Sequence, residues 1–353
     1  MDFEFFKNII NQIAEHNLSE WIYLAAIGES LLYPHLLDAI EYCARKKLYT
    51  NIITNALTLT TGLYDELAKR GLTNLYISLH NMSEESFAYR HTSCKIDCTF
   101  YYREIMNVID FHVGHHIEID LNIALLISKK NWISTELWDF PGIRKDTERI
   151  GGFIGRFTDE IHGIARKYNA QCYLNKKEFL SRLRAVNIFK PSSIRMFKDV
   201  FLTIVPLNPQ LYNTRKVLQG PLGKKIALLK TTKGHCPFLN APMVLCDGSF
   251  IPCCRDGLEE VVLGRIDAEH TLLSVLQSNA YQHFIQEFEK CNIIHPVCQE
   301  CRGRLVYRNP LSQMKYLMSS WDMYSSAERF ISRCRGFLGK FLKRRMTVQI
   351  SKN

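Results

Sequence analysis

WIYLAAIGESLLYPHLLDAIEYCARKKLYTNIIT, residues 21–54, reads as strand, helix, strand. Trp21–Gly28 is an unbroken apolar run, too short for a core helix and typical of a parallel strand covered on both faces. Pro34 to about Lys46 carries a helical pattern, and Tyr49–Thr54 is a second β-rich run. Upstream, Phe5, Phe6, Ile9, Ile10 and Ile13 recur at three and four between Asp2 and Asn17, which predicts an amphipathic helix. Downstream the cycle repeats: a helix over Leu63–Arg70 closed by Gly71, a strand over Asn74–His80, a helix around Phe100–Phe111 and a strand over Ile117–Ile127. In that last strand Ile117, Ile119, Leu121, Ile123 and Leu125 share one face and Glu118, Asp120 and Asn122 the other, so the sheet has a polar side of the kind that binds ligands. Ile150–Phe157 reads as one further strand, a helix lies around Glu178–Val186, and residues 158–234 form a connecting region without a clear pattern. Alternating strands and helices predict a parallel, barrel-like α/β sheet. Its cycle begins on a helix, with no strand ahead of it.

The composition agrees with an ordered protein. Of 353 residues 46% are hydrophobic and 23% charged, which excludes a disordered chain. The start, MDFEFFKNII, lacks a basic segment leading into an apolar one, and no run of about 18 apolar residues occurs, so the expectation is a cytoplasmic protein.

Seven of the twelve cysteines lie between Cys236 and Cys301. Cys298-Gln-Glu-Cys301 is a C-x-x-C, a spacing that lets two thiolates grip one metal or cluster. Cys236 and the Cys253-Cys254 pair sit among turn formers, in GHCPF and CDGSFIPCC. Four thiolates from three turns suit zinc or an iron–sulfur cluster, and a set of buried structural thiols is the bland alternative. Cys246, Cys254 and Cys291 are read as spare thiols, with Cys254 competing with Cys253 for the ligand role.

These stretches resemble a known family. HCPFLNAPMVLCDGSFIPCC, LGRIDAEHTLLSVLQS and PVCQECRG look like the SPASM or twitch auxiliary-cluster module of radical SAM enzymes, in which a cysteine is followed after 9–15 residues by G-x4-C and then a later cysteine group. Cys236, Gly248 and Cys253 fit that template. The resemblance implies one auxiliary [4Fe-4S] cluster on Cys236, Cys253, Cys298 and Cys301. YLAAIGESLLYPHLLDAI resembles the second strand of a radical SAM barrel, where a Gly-Gly-Glu motif meets the amino group of S-adenosylmethionine; the matching positions are Ile27, Gly28 and Glu29. IITNALTLT resembles the third-strand Thr-Asn-Gly signature, with Asn55 in place and Ala56 where glycine is usual, and LYISLHN resembles the fourth strand, with Ser78 lining the cofactor pocket. Cofactor contacts at Gly28, Glu29, Asn55 and Ser78 are therefore implied.

The family's catalytic cluster needs C-x3-C-x2-C, a motif that does not occur in this chain. Its nearest approach, Cys94-x3-Cys98-x2-Tyr101, ends on tyrosine and follows the wrong strand. The resemblance then implies a partial barrel without its first strand, followed by a Cys-rich domain and a basic helical tail. As the sequence stands it predicts no S-adenosylmethionine cleavage, from truncation or degeneration. The alternatives are a cluster-bearing scaffold or binding partner without catalysis, and a zinc-stabilised binding protein. The expected division is a barrel over 1–157, the connecting region over 158–234, the cluster domain over 235–303 and a tail over 304–353. Residues 302–353 hold 12 Lys plus Arg and 2 acids, the whole formal charge of +10. Phe330, Cys334, Phe337, Leu338, Phe341 and Leu342 make this tail a basic amphipathic helix, which suits docking on the protein's own apolar surface with a solvated basic face or, as the alternative, an anionic membrane surface. The expected partners are a peptide or small-molecule substrate, an electron donor and that membrane surface at the protein's periphery; nucleic acid is disfavoured.

Overall fold

The computed structural model describes residues 1–25, 28–79, 97–127, 141–185, 192–206, 226–236, 238–239, 241–254, 256 and 259–309. Ile27, His80, Cys94 and the basic segment beyond residue 309 lie outside them.

Helix α1 (Phe3–Glu15) starts where Asp2 caps it, its carboxylate accepting from the Phe5 amide at 3.1 Å. Strand β1 (Trp21–Leu24), α2 (Leu36–Arg45), β2 (Tyr49–Thr54), α3 (Thr61–Lys69) and β3 (Asn74–Ile77) follow as the alternating pattern predicts. Helix α4 (Cys98–His115) and β4 (Asp120–Ile127) continue it. The expected strand at Ile150–Phe157 is instead the middle of α5 (Pro141–Tyr168). Phe153, Ile154, Phe157 and Ile161 are all buried there, a three-and-four spacing that a short window reads as a continuous apolar run. After α6 (Lys176–Ala185), β5 (Ser192–Arg195) and β6 (Val200–Pro206) show that the region without a clear pattern supplies two strands of the sheet.

The six strands run β1-β2-β3-β4-β6-β5. All neighbours are parallel except β5, which pairs antiparallel with β6. Thr50, Ile52, Leu75, Ile77, Leu121, Ile123, Val200 and Leu202 are fully buried on one face, beneath apolar residues of α3, α4 and α5. Residues on the other face alternate with them and remain more open: Tyr23 is 60% and Ile53 42% exposed. This corrects the expectation that the apolar run of β1 is covered on both sides, because apolarity measures what a face tolerates and the layers decide what covers it. The predicted polar face of β4 is present, with Asp120 exposed and Asn122 donating to Asn74 Oδ1 at 3.2 Å.

A smaller unit follows. Strands β8 (Met243–Val244), β9 (Ser249–Ile251) and β10 (Gly264–Arg265) form an antiparallel sheet, and β7 (Ile226–Leu229) pairs with β11 (Arg304–Tyr307). Helices α7 (Leu272–Gln277), α8 (Asn279–Glu289) and α9 (Pro296–Cys301) complete it. Its core gathers Phe250, Val261, Leu263, Val275, Phe284 and Phe288. Helix α1 joins this core to the sheet layer. Ile9 belongs to the small core, whereas Phe6 and Ile10 pack with Ala39 and Cys43 of α2, and the Gln12 side chain accepts from the Leu272 amide at 2.7 Å. Among the described residues no helix is long and apolar enough to cross a membrane.

A buried relay ties the helical layer to the sheet. The Tyr64 hydroxyl donates to His112 Nδ1 at 2.7 Å, and His112 Nε2–H donates to Asp199 Oδ1 at 3.0 Å, the tautomer this network assigns. Burial holds the His112 pKa below the usual imidazole value, against the pull of Asp199. The folded state therefore binds fewer protons here than the unfolded one, so this contribution to stability is present above the ordinary histidine pKa and is lost as pH falls through it. Thermal melts of the wild type should lose midpoint between pH 7.5 and 5.5, and His112→Gln should flatten that dependence; parallel curves for the two proteins would remove His112 as the cause.

Candidate functional site

Two groups of residues converge on chemistry. The first lies at the C-terminal ends of β1, β2 and β3, where ligands of such sheets bind. Gly28 has φ +106, a backbone open to glycine, and turns the chain after β1 so that Glu29 faces the end of β2. There Glu29 Oε1 accepts from the Thr54 hydroxyl at 2.6 Å and the Leu31 amide at 3.1 Å, and Oε2 accepts from the Asn55 amide at 2.8 Å. Thr54 Oγ1 accepts in turn from the Ala56 amide at 2.8 Å. Ala56 has φ +57, so the left-handed turn that a glycine favours is kept with alanine in its place. The Ser78 amide donates to the Thr54 carbonyl at 2.8 Å. The hydroxyl of Tyr101 stands 2.9 Å from the Asn55 carbonyl and 3.2 Å from the Ser78 carbonyl, closing the group from α4.

Gly28, Glu29, Asn55 and Ser78 are thus brought together. Reading the sequence missed Thr54 and Tyr101. The tyrosine was visible only as the failed last position of a cysteine motif, and its role appears once α4 lies over the strand ends. Each Glu29 oxygen serves a protein donor, which gives this carboxylate a structural task beside any ligand it holds. Glu29→Gln replaces one acceptor by an amino group facing donors, and we expect a loss of about 1–3 kcal/mol in chemical denaturation. An unchanged midpoint would mean that the strand ends are held by something else.

The second group is the cysteine constellation. Burial raises the Cys298 thiol, and the charges of Cys253, Cys301 and Cys236, then Asp256, push further, to about 12. These four cysteines are therefore neighbours, delivered by three turns: the segment after β7, the end of β9 and α9. Of the adjacent pair Cys253 and Cys254, the first is the one whose charge raises the Cys298 thiol. Among the described residues no three donors already stand in closed metal-binding geometry, and all described cysteines are free thiols. A buried thiol raised by three neighbouring thiols fits a group that supplies positive charge, and metal sites of this kind close as the metal binds. Asp256, 5% exposed, shapes the loop after Cys253 by accepting from the Glu260 and Val261 amides at 2.9 and 2.7 Å.

The other described cysteines have varied surroundings. Cys246 is exposed, and Cys291 lies with its sulfur 3.4 Å from His235 Nε2. Cys43, on the buried side of α2, is fully enclosed, its thiol raised by burial to about 12. His115 stacks on Phe111, and His116 caps α4 in a left-handed conformation, so both serve the helix end.

Residues 236–302 match the SPASM family, described as an iron-sulfur cluster-binding domain. The tungsten-containing aldehyde ferredoxin oxidoreductase cofactor-modifying protein of Pyrococcus furiosus is 24% identical over 139 residues, 37% of each chain, so the chain matches little more than a third of that relative's length. Among solved structures, BtrN in an open conformation is similar at a TM-score of 0.42 and 11% identity, covering 86% of this chain and 80% of that one. SuiB of Streptococcus suis bound to precursor peptide SuiA is similar at 0.35 and 14%, covering 80% and 60%. The stretch that matches the SPASM family, residues 236–302, includes all four of Cys236, Cys253, Cys298 and Cys301.

Proposed function

We propose that Cys236, Cys253, Cys298 and Cys301 hold one auxiliary [4Fe-4S] cluster, and that the chain takes part in S-adenosylmethionine-dependent radical modification of a peptide or small molecule. The observation that carries the reading is that Cys236, Cys253 and the α9 pair Cys298 and Cys301 come together from three segments, within a domain matching an iron-sulfur binding family. When bound, such a cluster supplies electron transfer or an iron for substrate binding. The residues themselves do the holding: α9 carries Cys298 and Cys301 on one short helix, while β9 delivers Cys253 to the same place. Gly28, Glu29, Asn55 and Ser78 are the positions we assign to S-adenosylmethionine, its ammonium meeting lone pairs of Glu29 that the protein's own donors leave. We assign the sheet layer and α1 to substrate binding, residues 235–303 to the cluster and the basic tail to an anionic membrane surface or an electron-donating partner.

No C-x3-C-x2-C occurs in this chain, so the activity assigned to it alone is cluster and ligand binding. Anaerobic reconstitution tests this reading. Iron and acid-labile sulfide should appear in equal amounts, four of each per chain, with broad visible absorption. One zinc per chain and a colourless protein would establish the zinc-stabilised alternative instead.

A further inference from the structure

We propose that the sheet face turned away from the helices binds a protonated amine. Strand register sets Tyr23, Asn51, Asn74 and Asp120 side by side across β1–β4. Asn51 is only 9% exposed, and its Oδ1 is buried without a hydrogen-bond partner among the described residues. Such acceptors are rare in folded proteins and destabilise them, a cost removed when a ligand donates to them. Beside it Asn74 Oδ1 accepts from Asn122 and keeps a second lone pair. Asp120 adds an exposed carboxylate for which the described residues give no hydrogen bond to the side chain. Tyr23, 60% exposed, offers an aromatic face at the open end of the row. The row thus asks for donors and for positive charge, and an ammonium brings both and rests well against an aromatic ring.

This row lies about three residues, roughly 10 Å, back along β2 from the Glu29 group. It deepens the proposed function by naming the substrate chemistry, and it rests on that reading for assigning this face to substrate. The amine has two possible sources, a free small amine or a lysine of a peptide, and the test has an arm for each. Titration calorimetry on the full chain would compare glucosamine with glucose, and an acetylated Ala-Lys-Ala amide with its norleucine counterpart. At least one charged probe should bind roughly tenfold or more tightly than its neutral partner, and Asp120→Asn should erase that advantage. Asn51→Leu should weaken the same probe by a similar factor while the fold gains stability, a combination that a merely structural asparagine does not give. Saturable binding by only one arm identifies the source. Absence of binding in both arms, equal binding of charged and neutral probes, or indifference to both variants would overturn the proposal. Iron content measured on the same samples keeps the two readings separate, since a chain that holds no cluster and still binds the amine fails only the first.

Discussion

Replacing Cys298 with alanine should abolish stoichiometric iron binding by the reconstituted chain. Cys298 is the thiol on which Cys236, Cys253 and Cys301 all act, so its loss removes the centre of the group and not a peripheral ligand. Binding energy of a structural metal site is also folding energy, on the order of 10–16 kcal/mol for zinc sites with four ligands, and a missing ligand forfeits a large share of it. The variant should therefore show a few per cent of wild-type iron, and the small domain should become sensitive to proteolysis in and around α9. Cys253→Ala should behave alike. Cys254→Ala and Cys246→Ala should keep full iron content, because neither thiol belongs to the ligand set we propose. Equal iron in Cys254→Ala and Cys253→Ala samples would sink the assignment of Cys253.

Gly248→Ala should be nearly as damaging, although it removes no ligand. Gly248 has φ +89, and a β-carbon there would stand 2.2 Å from the Ile266 carbonyl oxygen and 3.4 Å from the Phe5 ring. The backbone cannot yield cheaply, since the Gly248 carbonyl accepts from the Ile266 amide at 2.8 Å and its amide donates to Leu245 at 3.1 Å. Asp247 fixes the same turn by accepting from the Ser249 amide and hydroxyl at 3.0 and 2.7 Å. Left-handed strain together with a displaced ladder bond should cost more than about 3 kcal/mol. The consequence reaches the metal site because β9 is the only stretch between Gly248 and Cys253, apart from Pro252. The four-residue spacing in G-x4-C is the length of one short hairpin strand and the turn out of it. We expect a lowered denaturation midpoint and reduced iron retention; wild-type values of both would show that another element carries Cys253.

By itself the sequence determined most of the sheet layer and pointed to the four cysteines of the small domain that we propose as ligands. Tyr49–Thr54 is a strand with the boundaries its residues imply, and α1, α2 and α3 lie where their periodicity puts them. Hydrophobic spacing is a local property, and so is the grip of a C-x-x-C on α9. Other features needed the fold. The Ile150–Phe157 run is apolar in a way that fits strand or helix, and only packing of Phe153 and Phe157 against the core chose the helix. Tyr101 and Thr54 are silent in sequence because their partners, Asn55, Ser78 and Glu29, come from other strands. The open side of the sheet is decided the same way: alternation assigned Asp120 and Asn122 to one face of β4, and only the helices gathered on the opposite face made it the side left for a ligand.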